Sequence, residues 1–128
     1  MSGARYPDLS IIIPAYRTGR ALGMTLRALA NTETGPDTFD VIVVDDGSEE
    51  SLRPVVDAYQ QIPASYIRLA RNSGRAVARN IGASQARGKR LLFLDSDSIP
   101  LKGLPLRSAY GTRSLSATIS AECRTLAR

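Results

Sequence analysis

The chain has 128 residues, with seventeen Lys and Arg against twelve Asp and Glu, and a formal net charge of +5. It contains no His and one Cys, Cys123, which excludes within this sequence an imidazole base, a Ser-His-Asp triad, a His-ligated metal, an intrachain disulfide and a thiolate zinc site. The length suits one domain or part of one, and the basic balance favours polyanions as partners: nucleic acid, anionic lipid or a phosphorylated small molecule.

Leu9 to Ile13 predicts a buried strand, ended by Pro14. Thr18 to Asn31 predicts a helix, because Leu22, Leu26 and Leu29 share one face at the 3.6-residue period, with Thr18 as its candidate cap. A polar loop from Thr32 to Asp40 follows, punctuated by Gly35-Pro36. Val41 to Val44 predicts a second buried strand, closed by Asp45-Asp46-Gly47-Ser48. A helix is expected from about Leu52 to Gln61; Pro54 restricts its start, so Ser51 is the candidate N-cap. Tyr66 to Leu69 predicts a short strand, Ser73 to Ala86 a helix with Gly88 just past its end, and Arg90 to Leu94 a fourth strand. After Pro100 the chain turns to Ser, Arg, Ala, Thr and Leu, with a weak helical pattern at Ala117 to Ala127.

Strands alternate with helices, and the strands are apolar throughout. That pattern predicts an α/β fold with a mainly parallel sheet covered by helices on both faces. Ligands of such sheets bind beyond the carboxyl ends of strands, where strand order reverses. The polar clusters Pro14-Ala15-Tyr16, Asp45-Ser48 and Asp95-Asp97 all fall at that edge.

Each cluster has a plain reading beside a functional one. Asp45 and Asp46 suit an Asp-Gly-Ser turn, but adjacent side chains point different ways, so only one serves the turn and the other is free for a ligand. Asp95 and Asp97, alternate residues of an extended segment, face one side and can address one hard cation, which takes few carboxylates plus phosphate oxygens; the alternative is an exposed acidic turn. Seven basic residues lie between Arg68 and Arg90, and no acid occurs between Asp57 and Asp95. Arg87, Lys89 and Arg90 read as a solvated face. Arg75 and Arg79 share a helix face near a start that opens with Asn72-Ser73-Gly74, where an anion is favoured. Tyr16 either stacks on a base or packs on the sheet edge. Nucleic acid is not expected as partner, because aromatics for stacking are scarce and no nucleic-acid module is recognisable.

In order and at suitable spacing, IIIPAYR, VIVVDDGS about thirty residues on, and NSGRAVARNIGASQARGKRLLFLDSDS resemble the family 2 glycosyltransferases of the GT-A fold. The likeness covers about Leu9 to Pro100, and ARNIGASQARG ahead of LLFLDSDS is its most telling part. It implies an incomplete Rossmann-like α/β fold, the half of the family that binds a nucleotide-diphosphate sugar. By this resemblance Pro14, Ala15 and Tyr16 lie beside the base, and Asp46 or its neighbour Asp45 reads base or ribose. Asn72, Gly74 and Arg79 lie beside the nucleotide and its diphosphate, where the charge argument also puts Arg75. Asp95, with Ser96 next to it, approaches ribose and sugar, and Asp97, together with Asp95, ligates Mn2+ or Mg2+. The implied reaction is displacement at the anomeric carbon with inversion. A base takes the proton of a glycan, lipid or other hydroxyl acceptor, and the metal stabilises charge on the leaving nucleoside diphosphate.

Two departures stand out. Arg17 follows Tyr16 where the family pattern often has Asn. Only 28 residues follow Pro100 (128 − 100 = 28), and Glu122 is the sole acid among them, so no general base is assigned. The expected division is a tail at 1–8, a nucleotide-sugar-binding half at 9–100 and a poorly defined segment at 101–128. The expectation is a truncated or frameshifted product competent for donor binding only. Rival readings are a catalytically inactive nucleotide-binding module and a phosphorelay receiver, which the complete strand and helix ahead of Asp45-Asp46 disfavour. A nucleotidyltransferase would need a better glycine-rich loop than PAYRTGRALG. No apolar run approaches the roughly 20 residues of a membrane span, and MSGARYPD lacks a signal peptide's apolar stretch. A cytoplasmic location is therefore expected, with attachment at a membrane surface left open.

Overall fold

The computed structural model describes residues 7–31 and 39–96; Asp97, Glu122 and the segment 101–128 lie outside the described residues. The elements alternate as β1 (Leu9–Ala15), α1 (Gly19–Ala30), β2 (Phe39–Asp45), α2 (Arg53–Asp57), β3 (Ala64–Arg68), α3 (Arg75–Gln85) and β4 (Arg90–Phe93). The sheet is parallel throughout, in the order β3-β2-β1-β4.

That order fixes which face each helix covers. The first two crossovers step from β1 to β2 to β3 in one direction, and the third returns past β1 to β4. Right-handed crossovers then put α1 and α2 on one face and α3 on the other. The cores agree. Leu22, Leu26 and Leu29 of α1 and Val56 of α2 pack on Ile11, Ile13, Val41, Val43 and Leu92. On the opposite face Ala78 of α3 packs with Ile12, Ile42 and Val44. The three leucines of the predicted apolar stripe are 0 to 1 % exposed, at the positions the helical period assigned.

α3 lies close to the sheet because it presents small residues. A Cβ on Gly82 would stand 2.5 Å from Ile12 Cγ2 and 3.2 Å from Val44 Cγ2. Ala78 and Gly82, one helical turn apart, are its buried residues.

β1 does not end at Pro14, as the sequence suggested, but runs through to Ala15. The β1–β2 register continues to Ala15 opposite Asp45, whereas the β1–β4 register stops at Ile12 opposite Phe93. Residues of a parallel strand turn their backbone groups alternately to either neighbour. Ile12 points to β4, accepting the Leu94 N–H at 3.0 Å, and Ala15 points to β2, accepting the Asp46 N–H at 2.8 Å. Pro14 therefore falls on the β4 side, where it has no N–H to continue the ladder. The two strands part at their carboxyl ends, at the place where strand order reverses.

Other boundaries shift. α2 ends at Asp57 rather than continuing to Gln61, and Leu52 stands at its N-cap in place of Ser51. Thr18 does precede α1, but its hydroxyl caps nothing and goes elsewhere. Among the described residues no helix is long and apolar enough to cross a membrane.

Candidate functional site

Where β1 and β4 part, a cleft of about 340 Å³ opens, lined by residues from four strand-end segments. Pro14, Ala15, Tyr16 and Thr18 come from the end of β1, Asp46 from the end of β2, Asn72, Gly74 and Arg75 from the entry to α3, and Asp95 and Ser96 from the end of β4.

The two aspartates at the end of β2 divide as neighbours on a strand must. Asp45 turns toward α2 and is fully buried. Its Oδ1 accepts the Ser48 N–H at 2.9 Å, and its Oδ2 accepts the Leu52 N–H at 3.2 Å and the Tyr66 hydroxyl. Burial pushes this carboxyl up, but the bonds from Tyr66, Ser48 and Leu52 more than offset it and hold it below its ordinary value. Burial, and then the bond to Asp45, push the Tyr66 phenol up. Asp45 thus closes the turn and holds the N–H of Leu52, the residue just ahead of α2, while Ser51 Oγ accepts the N–H of Arg53, the first residue of the helix, at 3.2 Å and bonds the Tyr66 hydroxyl at 3.1 Å.

Asp46 faces the cleft and is 4 % exposed. Its carboxylate accepts the Ser73 N–H at 2.7 Å, the Gly74 N–H at 2.9 Å and Asn72 Nδ2 at 3.1 Å. Asn72 Nδ2 also reaches the Asp46 carbonyl at 3.2 Å. The carboxylate holds the loop that leads into α3 against the end of β2. Close approach of the two loops demands glycine: Gly47 has φ +79, and a Cβ there would stand 2.4 Å from the Arg71 carbonyl carbon.

At the other wall, Asp95 Oδ1 accepts from Arg79 Nη2 at 3.2 Å, both side chains being partly exposed. Arg79 Nε is buried without a hydrogen-bond partner. Ser96 turns to the α1 face: Thr18 donates to its Oγ at 3.0 Å and Thr25 to its carbonyl at 2.8 Å. Thr18, just ahead of α1, and Thr25, in its middle, thus tether the segment after β4 to that helix.

Of the residues singled out from the sequence, Pro14, Ala15, Tyr16, Asp46, Asn72, Gly74, Arg75, Asp95 and Ser96 meet around this one cleft. Asp45 does not; it is spent on the turn and α2. Arg79 stands behind Asp95 and neutralises a carboxylate of the chain itself. Asp97 lies outside the described residues. Sequence reasoning placed Thr18 only as a cap and passed over Tyr66, whose partner is twenty-one positions away. No local pattern reports such a pairing.

Comparison with known proteins bears on what the cleft is for. The sequence profile described as glycosyl transferase family 2 matches residues 10–107. An uncharacterized glycosyltransferase of Haemophilus influenzae is 42% identical over 89 residues, covering 70% of this chain and 29% of that protein. The crystal structure of S. aureus TarS 1-349 in complex with UDP superposes with a TM-score of 0.73 at 32% identity, over 80% of this chain and 30% of that one. The mannosyltransferase PcManGT of Pyrobaculum calidifontis, in complex with GDP-Man and Mn2+, superposes with a TM-score of 0.68 at 16% identity, over 93% of this chain and 32% of that one. At that identity it shows the fold alone. The chain spans less than a third of each of these proteins. The parallel four-stranded sheet flanked by helices is part of the GT-A fold, and the chain belongs to glycosyl transferase family 2.

Proposed function

We propose that the cleft between the ends of β1 and β4 binds a nucleoside-diphosphate sugar, the donor for transfer of the sugar to a hydroxyl acceptor with inversion. One observation carries this reading: in a family 2 chain, Tyr16, Asp46, the Asn72–Gly74 loop, Arg75 and Asp95 converge on one cleft at the reversal of strand order. Tyr16 walls the side for a base, and Asp46 keeps the Asn72–Gly74 loop in place. Arg75, at the start of α3, supplies positive charge where a diphosphate would lie against the helix N-terminus.

A divalent cation fits this arrangement. Among the described residues no group of three acidic, His or Cys side chains is gathered. A hard ion on a diphosphate needs only one or two carboxylates, the rest being phosphate oxygens and water. Asp95, partly exposed at the cleft, and Asp97, two positions on in the sequence, are the carboxylates that would hold Mn2+ or Mg2+. When bound, the ion neutralises charge on the leaving nucleoside diphosphate. Arg79 holds the Asp95 carboxylate from behind, through its Nη2 at 3.2 Å.

Donor binding is the readout suited to this chain. Calorimetry of the 128-residue protein with UDP and with GDP, each with Mn2+ or with chelator, tests the proposal. UDP is the first choice because TarS, at 32% identity, has been crystallised with it. Binding is expected with Mn2+ and lost with chelator, and Asp97→Ala should remove the difference. Equal affinity with chelator overturns the metal role, and no binding of either nucleotide overturns the donor site.

A further inference from the structure

Arg17 stands where the resemblance often puts Asn, and the backbone there is unusual. It has φ 53, the only positive value at a non-glycine among the described residues. Asn is among the few side chains that accept this left-handed region readily, and Arg is not one of them. A strained conformation persists only where its surroundings enforce it, and such strain gathers at functional sites.

The enforcing contacts all run to the loop after β2. The Arg17 N–H donates to Ser48 Oγ at 2.9 Å. Its guanidinium donates to Glu49 Oε1 through Nε at 2.6 Å and through Nη2 as well. The guanidinium carbon lies 4.9 Å from the centroid of the Tyr16 ring, within cation–π range. The receiving loop is itself immobilised. Ser48 N–H is held by Asp45, and the Arg68 guanidinium donates to the carbonyls of Ser48 at 2.7 Å and Glu49 at 3.1 Å. Stability does not account for this arrangement. The Arg17 and Glu49 side chains are 59% and 69% exposed, and pairs that open to water contribute little.

We propose that Arg17 is a positioning residue for the nucleoside end of the donor site, a clip from Glu49 that fixes the Tyr16 ring as a wall for the base. The clip joins the segment after β1 to the loop after β2. It acts before any ligand arrives, so its effect is to remove the ordering of Tyr16 from the cost of binding. The inference rests on the donor-site reading above.

The test is a set of UDP titrations in Mn2+ on the full chain, alongside thermal unfolding. Arg17→Asn keeps a side chain suited to the left-handed backbone but removes the guanidinium. It should weaken UDP by roughly three- to tenfold, the factor for one side chain left to be ordered on binding, while the melting temperature holds or rises. Glu49→Ala leaves Arg17 in place, removes the acceptor of its guanidinium and should reproduce the loss. With Tyr16→Ala already present, Arg17→Asn should change nothing further. Unchanged affinity in Arg17→Asn or Glu49→Ala, or a full loss persisting without the Tyr16 ring, overturns the clip and spares the donor site. Failure of the unaltered chain to bind UDP or GDP overturns the donor site, and the clip with it.

Discussion

Replacing Asp45 by Ala should destabilise the protein strongly, although Asp45 does not touch the cleft. Truncation removes the acceptor of the Ser48 N–H, the Leu52 N–H and the Tyr66 hydroxyl at a site with no water access. The three do not suffer equally. Tyr66 retains Ser51 Oγ at 3.1 Å, and the Leu52 N–H retains the Tyr66 hydroxyl at 3.1 Å. The Ser48 N–H has no second acceptor among its recorded bonds. One orphaned buried donor costs about 1–3 kcal/mol, and weakening of two charge-assisted bonds adds about 1 kcal/mol, so roughly 3 kcal/mol is expected. At about 2 kcal/mol per molar urea, the unfolding midpoint followed by circular dichroism should fall by about 1.5 M. Asp45→Asn should lose less, since its amide oxygen can still accept.

The pH dependence gives a second readout. The folded carboxyl sits below its unfolded value of 3.8. Its contribution is therefore full above the unfolded value and is lost as pH falls through the folded one. The stability gap between the unaltered chain and Asp45→Asn should narrow between about pH 6 and pH 3. A midpoint for Asp45→Ala within about 0.25 M of the unaltered chain, or a gap to Asp45→Asn that stays constant over that range, would refute the reasoning.

Two other substitutions test neighbouring statements. Gly82→Ala places a Cβ 2.5 Å from Ile12 Cγ2, on a side chain that is 0 % exposed and cannot yield. Overpacking of about 1–3 kcal/mol should exceed the helix-propensity gain of about 1 kcal/mol, so calorimetry should show a lowered melting temperature; an increase would mean α3 sits farther from the sheet. Asp46→Ala strips the acceptor from Asn72, Ser73 and Gly74. It should cost roughly 2–4 kcal/mol of stability and weaken UDP by more than about tenfold, equivalent to ~1.4 kcal/mol. Binding that survives unchanged would show that this loop does not shape the nucleotide site.

Much of the molecule is local and therefore legible in the sequence. The apolar runs Ile11–Ile13 and Val41–Val44 and the Leu22-Leu26-Leu29 stripe depend on period and hydrophobicity alone, and they gave the strands, α1 and the parallel sheet. The motifs around Tyr16, Asp46, Asn72 and Asp95 pointed to one sheet edge because chain direction in a parallel sheet puts every strand end there. What escaped was partnership. That Asp45 takes the Tyr66 hydroxyl, that Arg79 answers Asp95 rather than an open anion site, and that Thr18 bonds Ser96 are decided between positions 16 to 78 residues apart.

The sequence by itself determined the family, the alternation of strands and helices, and which segments end at the carboxyl edge of the sheet. These follow from composition, spacing and the backbone's own periodicities. Only the tertiary structure decided which of two adjacent aspartates faces the cleft, and why the cleft opens. A strand offers alternate residues to opposite faces, and the faces acquire their identities only when helices cover them. Pro14 reads in sequence as a stop, yet it stops one ladder and not the other, because its missing N–H matters only on the side where β4 would have received it.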